Sequence, residues 1–156
     1  MFREMADSLD EIDLKLLTEL QVDADRTNVE LARLVGLSPA ATLNRVRRLK
    51  ENGTIQRVIA HLDAAQAGFP LRAYVSVILS RHDPSVVRAF VKEIQELPQV
   101  IGADWVAGET DAIVQLVARN VLELQRVLLR LSARGAQRMI TYLCLEEIKS
   151  SGPLPV

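Results

Sequence analysis

The segment from Arg26 to Arg57 constrains the fold of this chain most strongly, because two short amphipathic helix patterns follow each other there across a tight turn. The first pattern ends at Gly36, a residue that favours the left-handed conformation at the end of a helix. Ser38 can cap the second helix, and Pro39 stands in its first turn, where no amide hydrogen is needed. This order predicts a helix-turn-helix, and helical spacing predicts one further helix before it, over about Asp10 to Gln21.

The charge of this segment is typical of a surface that binds nucleic acid. It contains seven basic and two acidic residues, although the formal net charge of the whole chain is -1. Residues 1–25 have the opposite character, with eight acidic and two basic residues. A local excess of positive charge attracts phosphates whatever the overall isoelectric point. The alternative is a solvated basic helix on a protein-binding module.

The second helix of the motif would present its basic side to DNA. We expect Arg45, Arg47, Arg48 and Lys50 to contact phosphates, with Arg45 and Asn44 as the best candidates for base edges. Residues near the beginnings of the two helices are also well placed for contacts. The predicted DNA-binding residues are therefore Thr27, Asn28, Ser38, Ala40, Thr42, Asn44, Arg45, Arg47, Arg48 and Lys50.

Two further features complete this predicted domain. The basic helix should bury a stripe made of Leu43, Val46 and Leu49. Asn52-Gly53 would end the helix, and the apolar residues from Ile55 to Ile59 predict a short strand or wing. The expected domain is a winged helix-turn-helix.

Beyond Phe69 the pattern changes to strands alternating with helices. The predicted segments are a strand over Leu71 to Leu79, a helix from Asp83, strands over Val100 to Ala107 and Ala112 to Ala118, a helix over Val121 to Leu131, and a strand over Gln137 to Ile148. The order β-α-β-β-α-β is the ferredoxin-like arrangement, an antiparallel sheet with two helices on one face. We therefore expect an α+β protein with a winged helix-turn-helix domain over 1–63, a linker over 64–69, a ferredoxin-like domain over 70–150 and a flexible tail over 151–156.

One face of the predicted sheet cannot be covered by these two helices. The strand sequences AIVQLVA and MITYLCL are apolar at both odd and even positions, so both faces of the sheet are apolar. A partner subunit that lays its own sheet against the open face would bury it. Dimerisation also suits a helix-turn-helix protein, because two recognition helices can then read successive major grooves.

Composition excludes several classes of function. With Cys144 as the only cysteine and His61 and His82 as the only histidines, neither an internal disulfide nor a metal site is expected, and no cofactor is expected. No apolar run approaches the roughly 20 residues of a membrane span, and the N-terminus is too acidic for a signal peptide, so we expect a cytoplasmic protein. We predict that Cys144 is buried, that Trp105 serves packing or an interface, and that both histidines lie at the surface.

The motifs resemble those of the Lrp/AsnC, or feast/famine, transcriptional regulators of bacteria and archaea. The resemblance covers about Leu9 to Ser150. Its matching residues are Leu9-Asp10-Glu11-Ile12-Asp13, Arg26, Glu30-Leu31-Ala32, Val35-Gly36-Leu37-Ser38, Arg45-Val46-Arg47-Arg48-Leu49, Gly53-Thr54-Ile55, the Gly-x-x-Asp motif of Gly108 and Asp111, and Leu145-Glu146-Glu147.

The resemblance implies a sequence-specific, DNA-binding regulator that responds to a small effector, an amino acid or a similar molecule. It also implies homodimers that assemble into tetramers or octamers. The effector-binding residues that it implies are Ala107, Gly108, Glu109, Thr110 and Asp111. Gly108 would give backbone access, and Asp111 would fix the loop or meet an ammonium group. For the four residues from Gly108 to Asp111, the alternative is a tight turn selected for its backbone geometry. Many members have Ser or Thr in place of Ala107 and an aromatic residue in place of Thr110.

Two other functions compete with this interpretation. Siroheme decarboxylases are built from similar chains, but they typically carry His and Arg in the second strand pair, and the corresponding Ile101 to Leu116 contains neither. We therefore expect no enzyme activity. The other competitor is a sensing module that has lost operator binding, and the basic face from Arg45 to Arg57 argues against it.

Overall fold

The computed structural model describes residues 9–150 and 152–156, which divide into two compact units. One unit contains the residues up to Ala60 together with Lys149–Val156, and the other is His61–Ile148. In chain order the helices and strands of the described residues are α1 Glu11–Val22, α2 Asn28–Val35, α3 Pro39–Glu51, β1 Leu71–Leu79, α4 Pro84–Glu96, β2 Val100–Trp105, β3 Ala112–Ala118, α5 Val121–Ala133 and β4 Ala136–Leu143. Within these ranges none of the helices has the length and apolar character needed to cross a membrane.

Side chains cap the beginning of each helix in the first unit. Asp10, Thr27 and Ser38 precede α1, α2 and α3, and each accepts a hydrogen bond from a backbone N–H in the first turn. Pro39 occupies the first turn of α3, and Gly36 ends α2 in the left-handed conformation with a φ of 73°. The predicted helix-turn-helix is confirmed.

The core of this unit is formed where the three helices meet. Leu16 of α1 and Leu31 and Val35 of α2 are buried, and partly buried apolar side chains including Val46 of α3 pack against them. Leu49 is also buried, with no exposed surface. Two of the three predicted core positions of α3, Val46 and Leu49, therefore face inward.

The third predicted core position of α3 is wrong. Leu43 is 46% exposed, whereas its neighbour Thr42 is fully buried. One residue along a helix turns the side chain by about 100°, and here the buried stripe runs through Thr42 rather than Leu43. The Thr42 hydroxyl donates to the carbonyl of Ser38 at 3.1 Å, so this polar group is satisfied inside the core.

The predicted wing strand does not form. Residues 55–60, all of which the structure describes, are neither helical nor extended in a ladder, and Val58 and Ile59 are more than half exposed. A strand needs a neighbouring strand to receive its backbone hydrogen bonds, and no other described segment of this unit supplies one. The described part of the N-terminal unit is therefore a helical domain without a paired wing.

The second unit contains an antiparallel sheet with the strand order β2-β3-β1-β4. β1 pairs with β3 on one side and with β4 on the other, and β2 pairs with β3. Alternate strand residues, such as Val75 and Val114, are buried together with Phe90 of α4 and Leu131 of α5. Both helices thus cover the same face, which confirms the predicted ferredoxin-like arrangement.

Two of the strands are shorter than predicted. β2 ends at Trp105, which pairs with the first residue of β3, and β4 ends at Leu143, which pairs with Ala73 near the start of β1. Each strand stops close to the point where its neighbour has no further residues to pair with. Cys144, predicted to be buried, is only partly buried, although its N–H still donates to the carbonyl of Arg72 at 2.8 Å.

A buried carboxylate joins α4 to α5. Glu93 is 5% exposed and accepts hydrogen bonds from Arg130 and from Arg134, the latter at 3.2 Å. Burial alone raises the pKa of the Glu93 carboxyl, but the two guanidinium groups outweigh burial and hold that pKa below its ordinary value. The carboxylate therefore stays ionised at neutral pH and ties the two helices together.

Candidate DNA-binding surface and effector pocket

The outer surface of α3 carries the candidate DNA contacts. Asn44, Arg47 and Lys50 are exposed, and so are Ser38 and Ala40 at the N-terminal end of the helix. Among the described residues, Arg47 and Lys50 have no ion-pair partner. Unpaired cations beside small polar side chains form a surface that can meet phosphates and approach base edges.

Two other basic residues of α3 are engaged with α1. The guanidinium of Arg45 donates from Nη1 to Asp10 Oδ2 at 2.6 Å and to Asp13 Oδ1 at 2.9 Å, and Arg48 donates from Nη2 to Asp13 Oδ2. A backbone N–H of Asp13 and the Arg45 guanidinium lower the pKa of Asp10, and the same ion pairs raise the pKa of Arg45. Arg45, proposed from the sequence as a reader of base edges, thus has a guanidinium nitrogen bound inside its own unit.

Three more of the predicted DNA-binding residues have structural partners. The backbone N–H and the hydroxyl of Thr27 both donate to the carboxylate of Glu30 at 2.7 Å, which completes a capping box. The amide of Asn28 donates to the carbonyl of Pro39 at 2.7 Å and joins the start of α2 to the start of α3. The assignment of Thr42 to the DNA-facing surface is wrong, because its side chain is fully buried.

The segment between β2 and β3 holds the candidate effector residues. We call Gly108–Asp111 the Gly-x-x-Asp loop. Gly108 has a φ of 148°, a conformation that L side chains rarely adopt. The hydroxyl of Thr110 and the N–H of Asp111 both donate to the carbonyl of Val77, at 2.8 and 2.9 Å. The loop is therefore bound to the C-terminal end of β1.

Both carboxylate oxygens of Asp111 are engaged. Oδ1 lies 2.8 Å from Nε2 of His82, and Oδ2 accepts the N–H of Leu79 at 2.8 Å. The hydrogen bonds from His82 and from Leu79 lower the pKa of Asp111, and the bond from His82 has the larger effect. Of the two roles considered for Asp111, these contacts correspond to fixing the loop. His82 lies at the surface as predicted, but its pairing with Asp111 was not foreseen, because the two residues meet only through the register of the sheet.

A pocket of about 340 Å³ lies between this loop and the open face of the sheet. It is lined by Ser76, Ile78, Ala107, Gly108, Glu109, Thr110, Ile113, Arg138, Ile140 and Tyr142. Four of the five predicted effector residues line it, and Asp111 supports it from outside. Arg138 and Glu109 bring opposite charges, and neither forms an ion pair with any residue that the structure describes. Sequence reasoning did not identify Arg138, which belongs to no motif.

Trp105 lies beside a different pocket, also of about 340 Å³, between α4 and β2. Its ring centroid is 6.0 Å from that of Phe90, and its side chain is about half exposed. The residue packs against α4 and stays partly open to solvent.

Two domain families match the parts of the chain that contain these sites. Residues 9–50 match the AsnC-type helix-turn-helix domain, and residues 72–154 match the Lrp/AsnC ligand binding domain. The fold and the domain matches together define a transcriptional regulator with a helix-turn-helix region and a ligand-binding domain. The chain belongs to the Lrp/AsnC family.

Individual relatives agree with this assignment. The leucine-responsive regulatory protein of Rhizobium meliloti is 36% identical over 145 residues, which are 92% of this chain and 93% of that protein. The HTH-type transcriptional regulator AldR of Mycolicibacterium smegmatis is 35% identical over 154 residues, covering 96% and 88%. A solved structure of a Neisseria meningitidis transcriptional regulator in complex with L-Met has a TM-score of 0.88 at 30% identity, covering 95% of this chain and 97% of that one. These relatives are named as regulators, which confirms the prediction that the chain is not an enzyme.

Proposed function

We propose that this protein is a sequence-specific DNA-binding regulator that uses α3 as its recognition helix. The observation that carries the proposal is the pair of exposed cations Arg47 and Lys50, which have no ion-pair partner among the described residues and lie on the same helix as exposed Asn44. When such cations bind phosphates, counterions condensed on the DNA are released, and this release favours binding. An exposed amide can in addition form hydrogen bonds with a base edge. A sensing module without operator binding is less well supported, since these cations have no partner in the described residues. The proposed location is the cytoplasm, where bacterial and archaeal DNA lies.

Salt dependence of binding tests the role of α3. We expect the Arg47→Ala/Lys50→Ala variant to bind duplexes of any sequence more weakly. The slope of log affinity against log salt should fall by about 0.9 for each phosphate that the variant no longer neutralises. Fluorescence anisotropy with labelled duplexes at several salt concentrations measures both quantities. The Arg88→Ala/Lys92→Ala variant removes the same charge from exposed positions of α4 and is the control. Equal reductions in the two variants would contradict the assignment.

We further propose that the pocket beside the Gly-x-x-Asp loop binds an amino acid. Arg138 is suited to a carboxylate and Glu109 to an ammonium group. Ile78, Ile113 and Ile140 offer an apolar surface for a side chain. The L-Met complex of the Neisseria meningitidis relative supports an amino-acid effector with a largely apolar side chain.

A thermal-shift screen of the amino acids tests this pocket. A ligand that binds only the folded state raises the midpoint of unfolding in a concentration-dependent way. We expect a response to apolar amino acids such as methionine or leucine, and its loss in Arg138→Ala. Arg88→Ala, which removes a charge from α4 outside the pocket, should respond like the wild type. A flat response of the wild type to every amino acid would contradict the proposal.

The assembly that we propose is a homodimer in which two sheets cover each other's open faces. Tyr74, Ile140 and Tyr142 on that face are 41%, 41% and 55% exposed, which is unusual for large side chains on a sheet. Dimers would then associate into tetramers or octamers, as members of the family are expected to do. An effector bound beside the open face would favour one arrangement of subunits and so change operator binding.

A further inference from the structure

We propose that Asp13 of α1 is a positioning residue for DNA recognition. It holds Arg45 and Arg48 away from the DNA and leaves Arg47 and Lys50 to make the phosphate contacts. This inference rests on the proposed DNA-binding function and divides the basic residues of α3 into two groups with different tasks.

The geometry of the cluster carries the inference. The Asp13 side chain is 1% exposed, and each of its two oxygens accepts a hydrogen bond from a different arginine of α3. Asp10 adds a second carboxylate at 2.6 Å from Arg45. Two carboxylates and two guanidinium groups balance each other, so the positive charge that α3 offers to DNA comes from Arg47 and Lys50.

The free energy needed to reach a phosphate differs between the paired arginines, Arg45 and Arg48, and the cations Arg47 and Lys50. If Arg45 left Asp13 to meet a phosphate, a buried carboxylate would lose one of its two guanidinium partners. Arg47 and Lys50 give up only hydration when they meet a phosphate. Arg45 is also the less accessible of the paired arginines, with a side-chain exposure of 27% against 48% for Arg48.

The spacing of Arg45 and Arg48 indicates that their ion pairs with Asp13 restrain the rotation of α3. Arg45 and Arg48 are three residues apart and lie on the same side of α3. Bonds from both to one carboxylate on α1 resist rotation of α3 about its axis. A rotation by one residue would turn Arg47 and Asn44 away by about 100°, so this restraint acts together with the buried side chains of α3 to set the register of the base contacts.

Comparison of two single variants tests the division of tasks. We expect Arg47→Gln to lower the salt slope of duplex binding by about 0.9 and Arg45→Gln to leave it unchanged. A slope that falls equally in both variants would overturn the inference while leaving the proposed function intact. If neither Arg47→Gln nor Lys50→Gln lowers the slope, the DNA-binding role of α3 itself fails, and this inference fails with it.

The second test removes the carboxylate that both arginines share, while Asp10 continues to hold Arg45 at 2.6 Å. Asp13→Asn keeps the size of the side chain but removes its charge, and Glu11→Gln removes the same charge from an exposed position of α1. We expect Asp13→Asn to steepen the salt slope, because Arg48, whose one carboxylate partner among the described residues is Asp13, is then free to reach a phosphate. Its preference for a selected operator over random duplex should fall about tenfold, within the range that one base contact supplies. The control should change neither quantity.

Folding is monitored by circular dichroism at the assay temperature. A purely structural role would weaken binding to both duplexes in proportion and leave the slope unchanged, and that result would overturn the inference. If Asp13→Asn does not fold, the comparison of Arg45→Gln with Arg47→Gln decides the matter alone.

Discussion

Gly135 lies in the turn between α5 and β4 and has a φ of 106°. A Cβ atom at this position would overlap Cγ1 of Val86 on α4, whose β-branched side chain has little freedom to move. We expect Gly135→Ala to lower the free energy of unfolding of the second unit by about 1–3 kcal/mol, because backbone strain and the clash add. Urea denaturation measures the change. Gly152→Ala is the control, because a Cβ atom added there would meet no described atom within 4 Å beyond its chain neighbours. Equal stability of the two variants would contradict the prediction.

At the residue scale, local signals were predictable and long-range partners were not. The caps at Ser38 and Gly36 depend only on neighbouring residues, so the sequence was sufficient to identify them. To predict that Thr42 rather than Leu43 is buried, one would have to know the orientation of α3 to within one residue. The engagement of Arg45 with Asp13 depends on how α1 packs against α3, which apolar spacing alone does not specify.

At the scale of the elements, the ion pairs between α4 and α5 predict a dependence of stability on pH. The pKa of Glu93 in the folded protein lies below the ordinary 4.5, so the ion pairs stabilise the fold fully above about that pH. This stabilisation is lost as the pH falls through the lowered pKa. Asp111 and Asp83 also have lowered pKa values, and they contribute to acid destabilisation in the same unit.

Replacement of Glu93 isolates its share of this effect. We expect Glu93→Gln to reduce the free energy of unfolding at pH 7 by about 1–2 kcal/mol, a moderate loss because both arginines can return to solvent. The difference from the wild type should shrink towards pH 3. Urea titrations at both pH values measure it, with Glu96→Gln at an exposed position of the same helix as the control. A difference independent of pH would contradict the assignment to ionised Glu93.

The order and type of the elements were largely predictable, because apolar periodicity distinguishes helices from strands. Their ends were less predictable. β4 stops at Leu143, which pairs with Ala73 near the beginning of β1, and the segment near Ile59 has no strand to pair with among the residues that the structure describes. The same limit applies to the candidate effector pocket. Its loop was identified from the Gly-x-x-Asp motif, whereas Arg138 enters only through the register that places it beside Ile78.

For the whole molecule, the open sheet face predicts the state of association. We expect the wild type to sediment as a dimer or a larger assembly and Ile140→Lys to sediment as a monomer, because a charge would be buried between apolar faces. Leu122→Lys changes an exposed leucine of α5, outside the sheet, and should associate like the wild type. Analytical ultracentrifugation distinguishes these states. A wild type that sediments as a monomer would contradict the dimer, and Ile140→Lys should also bind duplex more weakly.

The first unit contains polypeptide that precedes the second unit in the sequence and polypeptide that follows it. Gln21, in the last turn of α1, pairs with the backbone of Leu154 through bonds of 3.2 and 2.6 Å. The polypeptide therefore passes between the units twice, once near residue 60 and again near residue 148. A chimera that grafts only the first 60 residues onto another sensor would leave Gln21 without this main-chain partner. Exchange of the helix-turn-helix unit thus requires transplanting two separate stretches of polypeptide.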